Sequence, residues 1–413
     1  MAVIKKIEQK EMQEVNENSF SRLEKSLKPP NLNFALNDQL KLLKHCVRKF
    51  SEDILSPMAP IVDKEAKFDW NTASELAKIN AWGIEIPVKY GGANLDTISY
   101  AITIEELSRV CASTGLNVSA HNSLGTYPIL KWGNEEQKNR FLPDIASGKK
   151  IMGFALTEPN AGSDAGGINC LAIQDGKGFL LNGSKIFVTN GSIASALIVI
   201  SRYKTNNGEE GKAAFIVERD MEGYEIGKKE DKMGMRGSIT TSIYFNNVHI
   251  PRENILGPLT DGFKIAMSAL DLGRIGIAAQ ALGIAQAAYE HSVKYSKTRV
   301  QFNKPISKFQ AISFKLAEMA TKIEAARLLV YKAAFMRDHG QDFSKQAAMC
   351  KYYASEIACE ITRDAIQIHG GYGYMKDLPI ERYYRDSKAC EIYEGSTEIM
   401  KIIISQQILR GNI

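Results

Sequence analysis

One block of alternating residues interrupts an otherwise helical chain, and this change of period limits the folds that the sequence can adopt. Between Ile151 and Pro251, Gly, Asn and Asp separate four short runs: G-F-L-L-N-G-S-K-I-F-V-T-N-G, A-L-I-V-I-S-R-Y, A-A-F-I-V-E-R and T-S-I-Y-F-N-N-V. Such runs predict strands joined by hairpins. Before and after this block, apolar residues recur three and four apart, which is the period of helices. The sequence therefore predicts a sheet domain between two helical domains.

The changes of period also set the expected boundaries. We expect a helical domain over residues 34–150, a β-sheet domain over 151–258 and a helical bundle over 259–413. Residues 1–33 form an extension, for which we expect a loose helix or a partly ordered arm that ends at two prolines. The run Ala266–Ala288 is apolar nearly all round. That is typical of a helix buried in a bundle core or at an oligomer interface.

Composition excludes several classes of protein. The net charge of +5 is spread along the chain, so we expect no nucleic-acid partner. The six cysteines contain no C-x-x-C pair and the histidines no H-x-x-x-H pair, which argues for a reducing compartment and against a metal site. No apolar run approaches the ~20 residues of a membrane helix. The first 30 residues contain five Glu and a single Arg and lack an apolar core, so we expect no signal or transit peptide and a cytoplasmic, bacterial-type location.

Four motifs suggest chemistry, although each has an ordinary structural interpretation. The glycine-rich segment Ala155–Gly167 suits close approach to a phosphate or a flat ring, and equally suits a hydrogen-bonded connector. Gln367–Tyr374 can be a helix cap, and Lys297–Pro305 a solvated turn. In C-E-I-Y-E-G-S-T-E-I-M, Glu394 stands just before a helix, where the helix dipole favours a carboxylate. Taken singly, none of the four decides the function.

Together these motifs resemble the acyl-CoA dehydrogenase family, most of all its short-chain (butyryl-CoA) branch, from about Phe34 to the end of the chain. The resemblance rests also on E-E-L-S-R-V-C-A-S-T-G, H-N-S-L-G-T-Y-P-I-L, L-D-L-G-R-I-G-I-A-A-Q-A-L-G-I-A-Q and F-Q-A-I-S-F-K-L-A-E-M. It implies an α+β fold with an N-terminal helical domain, a middle antiparallel β domain and a C-terminal four-helix bundle. It also implies FAD, an acyl-CoA substrate, an electron-transfer flavoprotein partner and a homotetramer built as a dimer of dimers.

The implied reaction converts a short-chain, or short- to medium-chain, acyl-CoA to a trans-2-enoyl-CoA. Glu394 matches the base that removes the α proton, while N5 of FAD takes the β hydride. Some branches carry the base on the long helix instead, but Gly273 stands at that position, so Glu394 is the only candidate. Tyr393 and the flavin would form a dry, flat slot, and Gly395 would let the thioester lie against the backbone.

The resemblance implies two further sets of contacts. The FAD contacts that it implies are Phe154, Leu156, Thr157, Ser163, Phe187, Thr189, Arg299, Phe302, Gln310, Gln367, Gly370, Gly371, Ser396, Thr397 and Glu398. Within this set, Arg299, Phe302 and Gln310 act across a dimer contact, and Gln367, Gly370 and Gly371 are the neighbouring subunit's share. The implied substrate contacts are Ser163, Asp271, Arg274, Tyr393 and Gly395, although Asp271 and Arg274 also fit a simple intrahelical ion pair.

Three alternatives stay open. An acyl-CoA oxidase would keep the fold and flavin but use oxygen, and such enzymes are usually longer. A non-catalytic relative would have no need of Glu394, Ser163 and Arg274. Among dehydrogenases, branched, aromatic or other short acyl groups remain possible substrates, since side chains near Ser99–Val110 and Leu270 set the pocket depth.

Overall fold

The structure is a computed structural model that describes residues 36–411. In this part of the chain, seven α-helices precede the sheet. They are α1 (Asp38–Phe50), α2 (Ser56–Glu65), α3 (Trp70–Lys78), α4 (Thr97–Val110), α5 (Ala112–Ala120), α6 (Tyr127–Trp132) and α7 (Glu135–Ala146). Single π-helical turns, Ser51–Leu55 and His121–Thr126, link α1 to α2 and α5 to α6. Side chains cap the N-termini of α3, α4 and α7. The capping residues are Asp69, Asp96 and Asn134, which accept hydrogen bonds from backbone N–H groups in the first turn. The predicted extension, residues 1–33, lies outside the described residues.

The middle block forms one eight-stranded sheet. Its strands are β1 (Met152–Ala155), β2 (Leu171–Asp175), β3 (Gly178–Thr189), β4 (Ala196–Lys204), β5 (Glu210–Glu218), β6 (Tyr224–Lys229), β7 (Thr240–Ile250) and β8 (Ile255–Leu256). The order is β6-β7-β3-β2-β4-β5-β8, and β1 pairs with β4. Most pairs are antiparallel, as expected, but β1 and β2 both run parallel to β4. Hairpins therefore do not account for every connection, and chain crossovers bring the segment after β1 to the side of β3.

The C-terminal block is helical. It contains α8 (Gly262–Thr298), α9 (Gln310–Asp338), α10 (Ser344–His369), α11 (Gly371–Tyr374), α12 (Ile380–Cys390) and α13 (Thr397–Leu409), with a small hairpin of β9 (Val300–Gln301) and β10 (Lys304–Pro305) after α8. The observed architecture confirms the predicted fold class. The domain boundaries that the sequence suggested stay predictions.

Helix α8 is the centre of the bundle. Its apolar run is buried by other helices of the same chain. Burial within one chain thus explains the all-round apolar pattern, which no longer argues for an oligomer interface. Glycines let neighbours approach closely: a methyl group on Gly276 would lie closer than 3.0 Å to the hydroxyl of Tyr100.

The same helix is long and apolar enough to meet a simple test for a membrane span. Within Leu259–Thr298, an 18-residue stretch has a mean hydropathy of 1.3, although the sequence analysis expected no such run. In the described part of the chain no other helix meets that test. Because 78% of the stretch is buried inside the protein, its composition is that of a core helix.

Candidate active site

Glu394 lies in the loop between α12 and α13, where the backbone is left-handed at two consecutive residues. The φ angle is +54° at Glu394 and +105° at Gly395. A side chain at Gly395 would be strained, and its Cβ would lie 2.6 Å from Cε of Met400. For a non-glycine residue such as Glu394, left-handed backbone costs about 1–3 kcal/mol. The contacts around the loop must therefore stabilise this conformation.

The carboxyl group of Glu394 is enclosed and lacks a partner. Although the residue as a whole is half-buried, its Oε2 atom is inaccessible and has no hydrogen-bond partner within residues 36–411. Burial raises the pKa of Glu394 to about 7, while the charges of Arg274 and Lys351 act in the opposite direction. A carboxyl group with this pKa is part ionised near neutral pH, so it is suited to accept a proton from a reacting carbon.

Gly273 of α8 lies against this carboxyl group. A methyl group at Gly273 would lie closer than 3.0 Å to Oε2 of Glu394, a separation that real side chains essentially never show, and 3.0 Å from Cδ2 of Leu124. The sequence analysis treated Gly273 only as a position without an acid. The structure shows that the missing side chain also makes the space in which the Glu394 carboxyl group sits.

Two cationic side chains hold the carbonyl groups of the Glu394 loop. The Nε atom of Arg274 donates to the carbonyl oxygen of Glu394 at 3.4 Å. The Nζ atom of Lys351, which is fully buried in α10, donates to the carbonyl oxygen of Gly395 at 2.5 Å. The sequence analysis missed Lys351, because a single lysine in an amphipathic helix normally marks a solvent-exposed face.

The predicted pair on α8 is present. Arg274 donates to Asp271 at 2.7 Å, and Ser344 of α10 also donates to Asp271. Arg274 is 5% exposed, so this is a buried ion pair that packs α8 against α10. The intrahelical pair that the sequence left as an alternative is therefore formed, and the role of these residues in binding CoA stays a prediction.

Tyr393 packs beneath the loop. Its hydroxyl donates to Oε1 of Gln280 at 2.5 Å, and the amide of Gln280 donates to the carbonyl oxygen of Ala112. The phenol thus ties the loop to α8 and α5. Its predicted role in forming a flat slot for the substrate stays a prediction.

A second group of predicted residues meets on the sheet. The backbone N–H of Ile186 in β3 donates to the carbonyl oxygen of Thr157, just after β1, at 2.9 Å. This bond brings the segment of Phe154, Leu156 and Thr157 beside Phe187 and Thr189. Phe187 lies in a β-bulge with φ of +57° and is 61% exposed. An aromatic ring held out on a strained bulge is a ready surface for another flat ring.

A buried ion pair supports this surface from below. The Nζ atom of Lys185 lies 2.6 Å from Oε1 of Glu158 and donates to the carbonyl oxygen of Leu156 at 2.9 Å. Glu158 accepts from the backbone N–H groups of Asn169 and Cys170. The pair thus joins β3 to both ends of the glycine-rich loop. The sequence analysis missed both residues, although they lie within motifs that it quoted.

A third group of predicted residues lies at the end of the bundle. Arg299, Gln367, Gly370 and Gly371 line one cavity of about 470 Å³, together with Tyr372, whose ring lies 5.8 Å from the guanidinium of Arg299. Two further predicted residues lie outside this lining and are exposed: Phe302 in the hairpin after α8, at 87% exposure, and Gln310 at the start of α9. The lining contains none of the predicted flavin contacts from the sheet. One chain therefore presents the predicted cofactor contacts on separate surfaces.

The remaining predicted residues lie at a loop and a helix start. Ser163 is exposed in the glycine-rich loop. Ser396, Thr397 and Glu398 begin α13, where the Thr397 hydroxyl is enclosed without a partner in the described chain and Glu398 is exposed. A helix start suits a phosphate, but here the Glu398 carboxylate contacts its own backbone N–H and the Ser396 hydroxyl, so it would have to move away.

These features fit a flat cofactor that carries phosphates. The exposed Phe187 surface suits its rings, and the unpaired Thr397 hydroxyl and the cavity at Arg299 suit its polar parts. A desolvated carboxyl group that is suited to accept a proton, combined with such a cofactor, is typical of oxidoreductases that remove hydrogen from carbon.

The comparison with known families identifies that class. Residues 37–149 match the acyl-CoA dehydrogenase N-terminal domain, residues 153–248 the middle domain and residues 260–409 the C-terminal domain. The chain belongs to the acyl-CoA dehydrogenase family, whose members are oxidoreductases that act on the CH–CH bond of acyl-CoA thioesters and bind FAD.

Two curated relatives are similar over most of their length. An acyl-CoA dehydrogenase of Bacillus subtilis is 49% identical over 90% of this chain and 98% of its own. A 3-(aryl)acrylate reductase of Clostridium sporogenes is 46% identical over 90% of this chain and 99% of its own.

Two solved structures share the fold. Butyryl-CoA dehydrogenase from Megasphaera elsdenii is 44% identical and superposes with a TM-score of 0.89 over 92% of this chain and 100% of its own. A chain from a study of the electron transferring flavoprotein of Acidaminococcus fermentans is 46% identical, with the same TM-score and coverage.

Proposed function

We propose that this protein dehydrogenates short-chain acyl-CoA thioesters to trans-2-enoyl-CoA, with Glu394 as the base that removes the α proton. The observation that carries the proposal is the carboxyl group of Glu394, whose Oε2 atom is enclosed without a partner among the described residues and whose pKa burial raises to about 7. An α proton next to a thioester is weakly acidic, so the base must be strong, desolvated and close to the reacting carbon.

The backbone of the loop supplies the second requirement, which is a donor for the thioester oxygen. Among the described residues, the N–H groups of Glu394, Gly395 and Ser396 have no acceptor. Because each carbonyl shares a peptide plane with the next N–H, the contacts of Arg274 and Lys351 with the first two carbonyl groups fix the direction of the Gly395 and Ser396 N–H groups. We propose that the N–H of Glu394 stabilises the negative charge that develops on the thioester oxygen.

FAD, when bound, accepts the β hydrogen as a hydride and later passes the electrons on. We propose that Thr157, Phe187 and Thr189 hold its ring, and that Thr397 at the start of α13 contacts its phosphates. The FAD of a second subunit would then be contacted by Arg299, Phe302, Gln310, Gln367, Gly370 and Gly371. The separate surfaces on one chain support this proposal. We accordingly propose a dimer contact at the cofactor and a homotetramer. We also propose an electron-transfer flavoprotein as the electron acceptor, and the Acidaminococcus structure supports this last proposal. A cytoplasmic location stays a prediction.

Replacing Gly273 with alanine tests the geometry of the base. The added methyl group must displace the Glu394 carboxyl group, because the two cannot lie closer than 3.0 Å. A misplacement of about 1 Å can cost about 100-fold in rate, so we expect kcat to fall by that factor while the FAD content is unchanged. Steady-state rates and the visible spectrum of the purified variant measure both. An unchanged kcat would mean that Glu394 adopts another position in the working enzyme.

We propose that Tyr100 is the side chain that sets the predicted preference for short acyl chains. Its fully buried ring lies over Gly276, one helical turn along α8 from Gly273, and its hydroxyl lies 2.8 Å from Oγ of Ser119. Tyr100 is close enough for the charge of Glu394 to contribute to the rise in its pKa, although burial contributes most. We propose that Tyr100 and Ser119 close the acyl pocket a short distance beyond the base.

Shortening this side chain should lengthen the preferred substrate. For Tyr100→Leu we expect the ratio of kcat/KM for hexanoyl-CoA to that for butyryl-CoA to rise by about 10-fold, the usual effect of pocket volume on methylene discrimination. Tyr90→Leu, at another buried tyrosine in a separate core cluster, is the control. If the ratio changes equally in both variants, Tyr100 does not set chain length.

A relative with a different activity supports a second candidate function. The Clostridium sporogenes protein is a 3-(aryl)acrylate reductase, so an aryl-substituted acyl group, and the reductive direction, are the alternative for this chain. An aryl ring needs more room in the acyl pocket than a butyryl chain does. The space that the Tyr100 side chain occupies is therefore the feature that distinguishes the two proposed substrates.

Anaerobic titration of the purified holoenzyme tests the proposal. We expect butyryl-CoA to bleach the oxidised flavin band, and 3-phenylpropionyl-CoA to leave it unchanged. Bleaching by the aryl thioester alone would overturn the short-chain proposal in favour of the second candidate. No bleaching by any acyl-CoA would overturn the proposed reaction altogether.

The pH dependence follows from the state of Glu394. Only the ionised carboxylate accepts a proton, and burial raises its pKa to about 7. We therefore expect kcat/KM to be low in acid and to rise as the pH passes about 7, with the slope of a single ionisation. Rates with butyryl-CoA at constant ionic strength measure this profile. A rise centred near the ordinary glutamate value would contradict the burial of the base.

A further inference from the structure

Lys351 is buried in a position where an ion pair would normally be required. It is 0% exposed, yet its ammonium group makes its hydrogen bond to a backbone carbonyl, that of Gly395, at 2.5 Å. No salt bridge to Lys351 is present within the described residues. A buried ammonium group without a carboxylate in contact is costly. The fold therefore tolerates this charge at a place directly beside the base.

The groups around Lys351 come from three elements. Arg274 faces it from α8, Cys390 and Glu391 from the end of α12, and Glu394 from the loop that follows. Of the titratable groups that influence Glu394 most, Arg274 and Lys351 are both cations, and both lower its pKa against the effect of burial. Burial also lowers the pKa of Lys351 to about 8, so the group remains mainly protonated near neutral pH.

We propose that Lys351 is a positioning residue for the base: it fixes the left-handed Glu394–Gly395 turn through the Gly395 carbonyl and supplies positive charge that keeps Glu394 ionised. This inference rests on the proposed role of Glu394. The first part follows from geometry, because the φ angles of +54° and +105° are strained without an anchor. The second follows from charge, because a cation near a desolvated carboxylate favours its ionised form.

Two substitutions separate these parts. Lys351→Met removes both the charge and the hydrogen-bond donor. Lys351→Gln removes the charge but keeps an amide N–H donor, one bond shorter than the lysine side chain, on the side of the Gly395 carbonyl, and its polar side chain is the safer choice for folding. The control is Lys388→Met, which removes an exposed cation that pairs with Glu391 in the same loop and does not influence Glu394.

Thermal stability gives a readout that needs no activity. Each protein is compared, as holoenzyme, with its own Glu394→Gln partner at a series of pH values. Because the folded pKa of Glu394 lies above the unfolded value, its contribution to stability is complete below the unfolded pKa and is lost as the pH rises to the folded pKa. The Tm of each protein minus the Tm of its Glu394→Gln partner therefore falls as the pH rises, and it levels off just above the folded pKa of Glu394.

We expect the levelling-off point to move up by about one pH unit in Lys351→Met and in Lys351→Gln, and not in Lys388→Met. The acid limb of kcat/KM should move with it.

We expect kcat to fall about 10-fold further in Lys351→Met than in Lys351→Gln, since only the former loses the anchor. Unchanged levelling-off points in both variants would overturn the charge role, and equal kcat in both would overturn the anchoring role. If butyryl-CoA fails to bleach the wild-type flavin, the proposed function fails, but the Tm pairs still decide whether Lys351 sets the pKa of Glu394.

Discussion

Replacing Glu394 with glutamine is expected to lower kcat with butyryl-CoA by about 1,000-fold or more. Glutamine has nearly the same shape as glutamate but cannot accept the α proton, and a positioned general base is worth about 10²–10⁴-fold. Among residues 36–411 no other carboxylate is placed to replace it, since Gly273 occupies the facing position on α8 and the charged groups that act on Glu394 are cations. Flavin bleaching by butyryl-CoA under anaerobic conditions, followed by stopped-flow absorbance, measures the loss directly.

The matched control for this variant is Glu391→Gln. Glu391 lies three residues earlier in the same loop and pairs with the exposed Lys388, so the same chemical change there should leave kcat within a factor of two or so of wild type. The Glu394→Gln protein should also retain its flavin and perturb the flavin spectrum when it binds acyl-CoA. Rapid bleaching in that variant would show that another group removes the proton.

Removing the buried cation Lys185 is expected to cause the largest loss of stability. In Lys185→Met, the carboxylate of Glu158 stays buried at 6% exposure and loses its partner at 2.6 Å. Breaking a buried pair by removing one member typically costs about 3–5 kcal/mol. Because the pair ties β3 to the loop that carries Thr157 and Ser163, FAD affinity should fall as well. Urea unfolding of the apoprotein and flavin titration measure the two effects.

A surface pair on the same sheet provides the control. Lys204 and Glu210 lie 3.1 Å apart, with side chains 54% and 47% exposed. Lys204→Met should therefore cost no more than about 1 kcal/mol, as is usual for exposed pairs. If the two methionine variants unfold at the same urea concentration, Lys185 and Glu158 contribute no more than a surface contact.

The sequence predicted the parts of this protein that depend on local pattern. The strands β3, β4, β5 and β7 lie in runs that alternate or are short and rich in β-branched residues, and each was predicted near its observed position. By contrast, β1 has four residues and is buried almost throughout, so its pattern does not distinguish a strand from a buried connector. The parallel pairing of β1 and β2 with β4 depends on crossovers, which no local pattern encodes.

The same limit applies to the candidate site. The motif around Glu394 indicated the base, but the groups that shape its chemistry are distant in sequence: Gly273 precedes it on α8 and Lys351 lies on α10. Lys185 follows Ser184 and precedes Ile186 in β3, and a lysine in a strand normally faces solvent, yet it is 0% exposed. Only the tertiary packing shows that these lysines are buried and which groups they contact.

The bare backbone of Gly273 has a consequence for how such enzymes can diverge. An acid on α8 and an acid at position 394 would compete for one space, since even a methyl group on Gly273 meets the Glu394 carboxyl group. With Glu394 as the base that we propose, gaining the helix acid first would crowd the site, and losing Glu394 first would leave no base. We therefore expect that a lineage could not transfer the base from loop to helix by single neutral steps, and that the two arrangements would be separated by a barrier in fitness.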